Sequence, residues 1–357
     1  MSRKRVIYQS EALFVGETDA FDTSPDQLHR VQSANYSFEV ARTDVNEYGK
    51  LARIDSIIVE QPTVSLDFSY FQTGGTAGLN NEQLIGLTVS SESSPTSALS
   101  NILTDADGAS KNYYIYISPE GADAQLSDPI SGKCIGIGNG FLSSFSAEAS
   151  VGDIPTTTVN VEALNMRFFT SVTSQPNPAV NPVDGTDAAG VFSLLSPVAK
   201  PGISALRPGD ILFDLNDAQA LGQGVDLADM KIQSFSISFD LSREPLEKLG
   251  SKFAFSREIE FPVTVTATIE ATLGDLVAAN LASVLANDSA DFDLGMRINR
   301  PGSGGTMAIK YEIRGAKLDS QDFSSSIGDN KSVSLTFSTQ ISGPTDTANG
   351  IFIFNSP

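Results

Sequence analysis

The sequence predicts a mainly β protein built from two tandem copies of one β-sandwich or barrel domain, each with a short flanking α-helix. Three observations carry this expectation. A twenty-residue segment recurs 201 positions later, apolar and polar residues alternate with period two along much of the chain, and helical periodicity is confined to short paired stretches.

Residues 30–49 (RVQSANYSFEVARTDVNEYG) align without a gap on residues 231–250 (KIQSFSISFDLSREPLEKLG). Gln32/Gln233, Ser33/Ser234, Ser37/Ser238, Phe38/Phe239, Arg42/Arg243 and Gly49/Gly250 are identical. Ile58, Val64 and Phe68 meet Ile259, Val265 and Ile269 at the same offset. Tyr113, Ile115 and Ile117 meet Leu294, Met296 and Ile298 at an offset of 181, and Val151-Gly152-Asp153 meets Ile327-Gly328-Asp329 at 176. An offset that only shrinks is what a second copy with shorter loops gives. Duplication in one chain points towards an assembly that uses repeated, equivalent surfaces.

Taken in order, Ala34-Tyr36-Phe38-Val40 put apolar side chains on one strand face, with Asn35, Ser37 and Glu39 on the other. Val64-Leu66-Phe68-Tyr70 alternates with Ser65, Asp67 and Ser69. Phe235-Ile237-Phe239-Leu241 and Val263-Val265-Ala267-Ile269 repeat the pattern, so these are antiparallel strands with one buried and one wet face. Residues 43–48 and 244–249 read as short helical turns, with Thr43 as a cap, Pro245 early in the second, and Gly49 and Gly250 ending them in the left-handed conformation. A longer helix is predicted over 273–286, with a counterpart around 96–103. Residues 174–190 (SQPNPAVNPVDGTDAAG) have no period and read as linker. The resulting division is an arm over 1–27, a domain over 28–174, a linker over 175–202, a second domain over 203–345 and a C-terminal arm over 346–357.

A chain of 357 residues with 40% hydrophobic and 18% charged residues suits two folded domains. No apolar run approaches the roughly 18 residues of a membrane span. The basic stretch Met1 to Val6 lacks a following apolar region, so no secretory signal is expected. The single Cys134 excludes intrachain disulfides, in keeping with assembly in a reducing cytoplasm. A net charge of −20 argues against wrapping nucleic-acid phosphates, which takes a basic footprint.

Catalytic chemistry is thin. His29 is the only histidine, which removes His-based metal clusters and a repeated Ser-His-Asp arrangement, and its place beside Arg30 reads as surface. Cys134 has no nearby His and reads as a structural thiol. Gly136-Ile137-Gly138-Asn139-Gly140 lacks the βαβ context of a dinucleotide fingerprint and reads as a strand end and turn, as does the turn at Pro301 to Gly305. Asp288, Asp291 and Asp293 lack the spacing of a calcium loop and read as a solvated loop. The expectation is a non-enzymatic protein without cofactor or metal.

The segment QS-x-x-YSFEVAR…G, followed by an alternating Val/Thr strand, resembles the major tail tube proteins of tailed bacteriophages. The stretches 309–315 and 327–338 are similar to the end of such a domain. The resemblance covers 28–174 and 203–345, and the duplication itself departs from the commonest family pattern. It implies two packed antiparallel sheets per domain, with one sheet of each joined to its neighbours in a continuous inner barrel. Six domains per ring then means three chains, a homotrimer with pseudo-hexameric symmetry, stacked into a tube in the virion tail after assembly in the host cytoplasm.

The implied partners are other copies of the chain, an initiator, a terminator, a sheath in contractile tails, and genomic DNA passing through without specific binding. An acidic lining would repel DNA in transit. Glu39, Asp67, Asp240 and Glu270 are the lumen candidates, with the outer surface as their alternative. Candidate assembly segments are the loop from Phe71 to Pro95, the N-terminal arm, and the apolar run holding Ile351, Phe352 and Phe354, which equally reads as a closing strand of its own domain. Competing readings are a tail terminator, sheath or decoration protein, and a two-domain carbohydrate-binding adhesin module.

Overall fold

The structure is a computed structural model that describes residues 11–18, 24–58, 61–73, 80–104, 110–118, 124, 132–198, 206–215, 231–250, 253–254, 256–273, 291–300, 305–325 and 330–355. It is mainly β, with large antiparallel sheets. The first half contributes β1 (Glu11–Glu17), β2 (Asp26–Gln27), β3 (Val31–Glu39), β4 (Arg42–Val45), β5 (Asp55–Ile58), β6 (Thr63–Phe71), β7 (Val89–Ser90), β8 (Lys111–Ile117), β9 (Lys133–Ser150), β10 (Thr156–Ala163) and β11 (Asn165–Phe169). The small strands β12 (Gln175–Pro176) and β13 (Val191–Phe192) follow. The second half adds β14 (Ile211–Leu215), β15 (Lys231–Asp240), β16 (Arg243–Leu246), β17 (Ser256–Ile259), β18 (Val263–Thr272), β19 (Phe292–Asn299), β20 (Met307–Ser324), β21 (Ser332–Ile341) and β22 (Gly350–Asn355). Two short helices, α1 (Asn81–Leu84) and α2 (Ser100–Thr104), lie between β6 and β8.

Eight strands run continuously in the order β3-β6-β10-β9-β15-β18-β21-β20. The pairings of the first half recur in the second in the same register. Tyr70 faces Val31 and Thr157, as Ala271 faces Ile232 and Val333. A bulge falls between Val31 and Ser33 and again between Ile232 and Ser234. Both bulges place a glutamine whose amide folds back on the carbonyl two residues earlier, Gln32 on Arg30 at 2.9 Å and Gln233 on Lys231 at 3.1 Å. The identity of these two glutamines is therefore a matter of bulge geometry.

The strands β9 and β20, 18 residues each, serve both layers. Their first halves pair with β8 and β11, and with β19 and β22; their second halves pair with β10 and β21. The outer strands close over the apolar face of the main sheet, where Tyr113 meets Phe68 at 5.9 Å, Phe213 meets Phe235 at 5.5 Å and Phe292 meets Phe337 at 5.7 Å between ring centroids.

Several local expectations are corrected. Residues 43–48 and 244–249 are not helical; they belong to the hairpins β4–β5 and β16–β17. Gly49 and Gly250 do take positive φ, +89° and +87°, but in the hairpin loops. The same glycine signal ends a helix or turns a hairpin, and six residues are too few for the period to arbitrate. The predicted helix at 273–286 lies outside the described residues apart from Leu273, and its counterpart shortens to α2.

The glycine-rich run is mid-strand in β9. A Cβ on Gly138 would stand 2.3 Å from the Pro178 carbonyl oxygen, and one on Gly136 2.9 Å from Phe169 and Pro178. These glycines let residues 174–190 lie against the strand. That segment is therefore no free tether. Asn139 accepts from the Val180 N–H at 2.8 Å, and the Asn177 side chain bonds Asn112 at 2.9 Å.

The chain ends are likewise strands where described: β1 pairs with β8, and β22 with β20 and β7.

Candidate functional site

The wet face of the eight-stranded sheet is built from the period-two alternation. Residues directly opposite in an antiparallel ladder share a face. Asn35 faces Asp67, Asp67 faces Asn160, Asn160 faces Ser144, and Ser144 faces Asp240. Glu39 shares a face with Asn35, and Glu270 shares one with Asp240 through Ser234. All four acids named from the sequence thus lie on one face, although two come from each half. The ladders add Glu148 beside Ser236, Glu162 beside Ser65, and Asp322 beside Ser334. Sequence reasoning missed Glu148 and Asp322 because β9 and the second half of β20 carry no clean alternation to flag them; Glu162 lies on β10, whose alternation was legible. Between the acids the face is serine, threonine and asparagine, cross-linked by bonds such as Ser33–Ser69 at 2.7 Å, Ser37–Ser65 at 2.8 Å and Asn160–Ser144 at 2.6 Å. A depression of about 830 Å³ on this face is lined by Glu148, Asp153, Glu270 and neighbouring hydroxyls, with Phe71 at its margin.

The two halves join edge to edge through β9 and β15, with Ser234 opposite Ser150 and Asp240 opposite Ser144. On the apolar side Phe145 stacks on Phe239 at 5.4 Å. At one end the Arg243 Nε–H donates to the Leu142 carbonyl at 3.3 Å and its Nη1 to the Arg257 carbonyl at 3.1 Å. Arg257 pairs with Glu162 at 2.8 Å, and both guanidinium groups lie over the Phe141 ring, at 5.1 Å for Arg243 and 5.9 Å for Arg257. Burial, reinforced by the Arg257 charge, lowers Arg243 to about 10.

The outer edges of the same sheet are β3 and the second half of β20. Phe38 is 62% exposed, whereas its equivalent Phe239 is 2% exposed. Phe323 is 46% exposed, whereas Ala147, at the matching position of β9, is fully buried. The two hairpins present Tyr48, Leu51 and Leu249 as fully exposed apolar side chains at their tips.

Deeper in, Glu82 on α1 is buried and accepts hydrogen bonds from Tyr70 at 3.0 Å and Tyr311 at 2.8 Å, one tyrosine from each half. Burial raises its carboxyl above the ordinary range, against the lowering effect of the hydrogen bonds.

Among the assembly candidates, Ile351, Phe352 and Phe354 are buried within β22, which closes the chain's own fold. The loop from Phe71 to Pro95 is largely folded inward where described, with Asn81, Glu82, Ile85 and Leu87 buried, and Phe71 and Pro95 themselves half-buried. His29 is half-buried, its backbone N–H donating to Asn81 at 3.0 Å. Cys134 is buried, which pushes its thiol well above the ordinary value. Asp291 pairs with Lys317 at 3.0 Å, Asp293 accepts from the Gly315 N–H, and Asp288 lies outside the described residues. Among the described residues no group of three His, Cys, Asp or Glu is placed to hold a metal, and no helix is long and apolar enough to cross a membrane.

No protein-family model matches the chain, and no curated protein matches it.

Proposed function

We propose that this chain is a structural subunit of a bacteriophage tail tube, in which three copies form a pseudo-hexameric ring and rings stack around an acidic lumen that conducts DNA. The observation that carries the reading is the sheet itself. Two halves with matching registers already join edge to edge in one chain, and the two outer edges are the counterparts of the joined ones. Each half supplies four strands to an inner barrel, and six halves close it. The halves are tandem tail-tube-like domains, and their outer strands form the surrounding layer of each sandwich.

The wet face is the lumen. Glu39, Asp67, Glu148, Asp240, Glu270 and Asp322 set its sign, with short hydroxyl side chains between them; the cations that the ladders place on this face, Lys231 opposite Thr272 and Lys317 opposite Ser338, are fewer, and Lys317 is paired with Asp291. DNA then passes without specific binding. The exposed hairpin tips supply the contact from ring to ring, and the initiator, terminator and any sheath meet the tube at its ends or outer wall. The tube is part of the virion and assembles in the host cytoplasm.

The DNA-conducting role is tested by reversing the lining. Asp67→Lys, Asp240→Lys and Glu270→Lys together should give assemblies that retain duplex DNA at low salt and release it as salt rises, while wild-type assemblies retain none. Equal retention by the two would contradict an acidic lumen.

A further inference from the structure

The two outer edges are templates as well as edges, because the structure holds a worked example of how they join. Resting on the tube reading, we infer that the second half of β20 pairs antiparallel with β3 of a second copy of this chain in the register of the β9–β15 joint, and that this chain-to-chain joint lacks the ionic lock of the internal one.

The register follows from constant offsets. β15 corresponds to β3 at 201, because both meet their inner neighbours in the same way, bulge included. β9 corresponds to β20 at 176: Thr157 faces Ala147 as Val333 faces Phe323, and Glu162 faces Phe141 as Ser338 faces Lys317. Carrying the internal pairs Ser236–Glu148, Ile237–Ala147, Ser238–Ser146, Phe239–Phe145 and Asp240–Ser144 through these offsets gives the outer ones. Asn35 then faces Ser324, Tyr36 faces Phe323, Ser37 faces Asp322, Phe38 faces Gln321 and Glu39 faces Ser320.

Three features of the edges suit this pairing. The exposed Phe38 and Phe323 fall on the apolar side and cover one another's neighbourhood, as Phe239 and Ala147 do inside. Each acid on the wet side meets a neutral residue, whereas a slip of two residues would set Glu39 directly opposite Asp322. Arg42 is exposed and already donates to the Ser56 carbonyl, as Arg243 donates to the carbonyl of Arg257. The Leu318 carbonyl of the neighbouring copy is the counterpart of the Leu142 carbonyl that Arg243 holds. The identity of Arg42 and Arg243 is thereby explained.

The lock does not carry over. Arg257, Glu162 and Phe141 correspond to Ser56, Ser338 and Lys317, so neither the salt bridge nor the stacked guanidinium groups can form between chains. A ring of this protein alternates locked joints within chains and unlocked joints between them.

The test uses Ser37→Cys with Asp322→Cys in the full chain. In the internal joint Val151 and Leu241 donate to the Gln233 and Ser143 carbonyls directly opposite them, so every second pair is hydrogen-bonded and the pairs that alternate with these, Ser238–Ser146 included, are of the close, non-hydrogen-bonded kind that suits a cross-strand disulfide. Ser37 and Asp322 inherit that geometry, both are exposed, and buried Cys134 does not compete.

Mild oxidation at assembling concentrations should link matched-pair chains and leave single-cysteine variants unlinked. The shifted pair Ser37→Cys with Ser324→Cys should link severalfold less. A shifted pair that links as well as the matched one, or matched chains that stay unlinked, overturns the register, and if tubes form all the same the tube reading survives it. Linkage that ends at three chains supports both. A ladder running past three supports the joint and removes the three-chain ring.

Discussion

Glu82 ties the two halves together at a single carboxyl oxygen, and its burial makes that tie sensitive to pH. Its folded-state pKa is raised above 4.5, so the unfolded chain loses this proton first as pH rises. The contribution of the protonated carboxyl is fully present below about 4.5 and is lost as pH climbs through the raised value, at about 1.4 kcal/mol for each pH unit between the two. Glu82→Gln keeps an acceptor for both tyrosines and cannot ionise. Urea unfolding of the two proteins across pH 4 to 8, read as a difference so that other carboxylates cancel, should show the variant gaining on wild type above pH 4.5. A difference independent of pH would contradict a raised pKa. None of this was legible in the sequence, where Glu82 sits in an undistinguished Asn-Asn-Glu-Gln stretch; only folding brings Tyr70 and Tyr311 to it.

At the scale of elements, the hairpins β4–β5 and β16–β17 hold the most fully exposed large apolar side chains among the described residues, and burying one such residue is worth roughly 1.5–3 kcal/mol. If their tips join rings, Tyr48→Ser, Leu51→Ser and Leu249→Ser together should leave ring formation intact while abolishing long tubes, measured as particle length by electron microscopy. Tubes of wild-type length would place the stacking contact elsewhere. The strands around these hairpins were legible, because uninterrupted alternation such as Val64 to Tyr70 has one reading. The hairpins were not, since Thr, Pro and Gly mark a capped helix and a tight turn alike. β9 was also obscured: its glycines answer to Pro178 and Tyr113 packed against it, which are long-range facts. The segment at 174–190 looked like linker for its Pro and Gly content, yet buried asparagines anchor it to the neighbouring strands.

For the whole molecule, the repeat visible in residues 30–49 and 231–250 proves to be the most consequential part of the sequence, because matching registers follow from it across both halves. Glu39, Asp67, Asp240 and Glu270 could be placed on wet strand faces from alternation alone; that the four share one sheet required the β9–β15 joint. The joint is also what makes a ring a reasonable proposal, since among the described strands β3 and the second half of β20 stand at the two ends of the eight-strand run. The measurement that tests this most directly is electron microscopy of the purified protein over a concentration series, with averages of end-on views. Closed hollow rings of three bilobed subunits, pseudo-sixfold in outline, are expected to appear and to stack into tubes as concentration rises. Particles that stay monomeric at every concentration, or rings with another number of chains, would contradict this expectation.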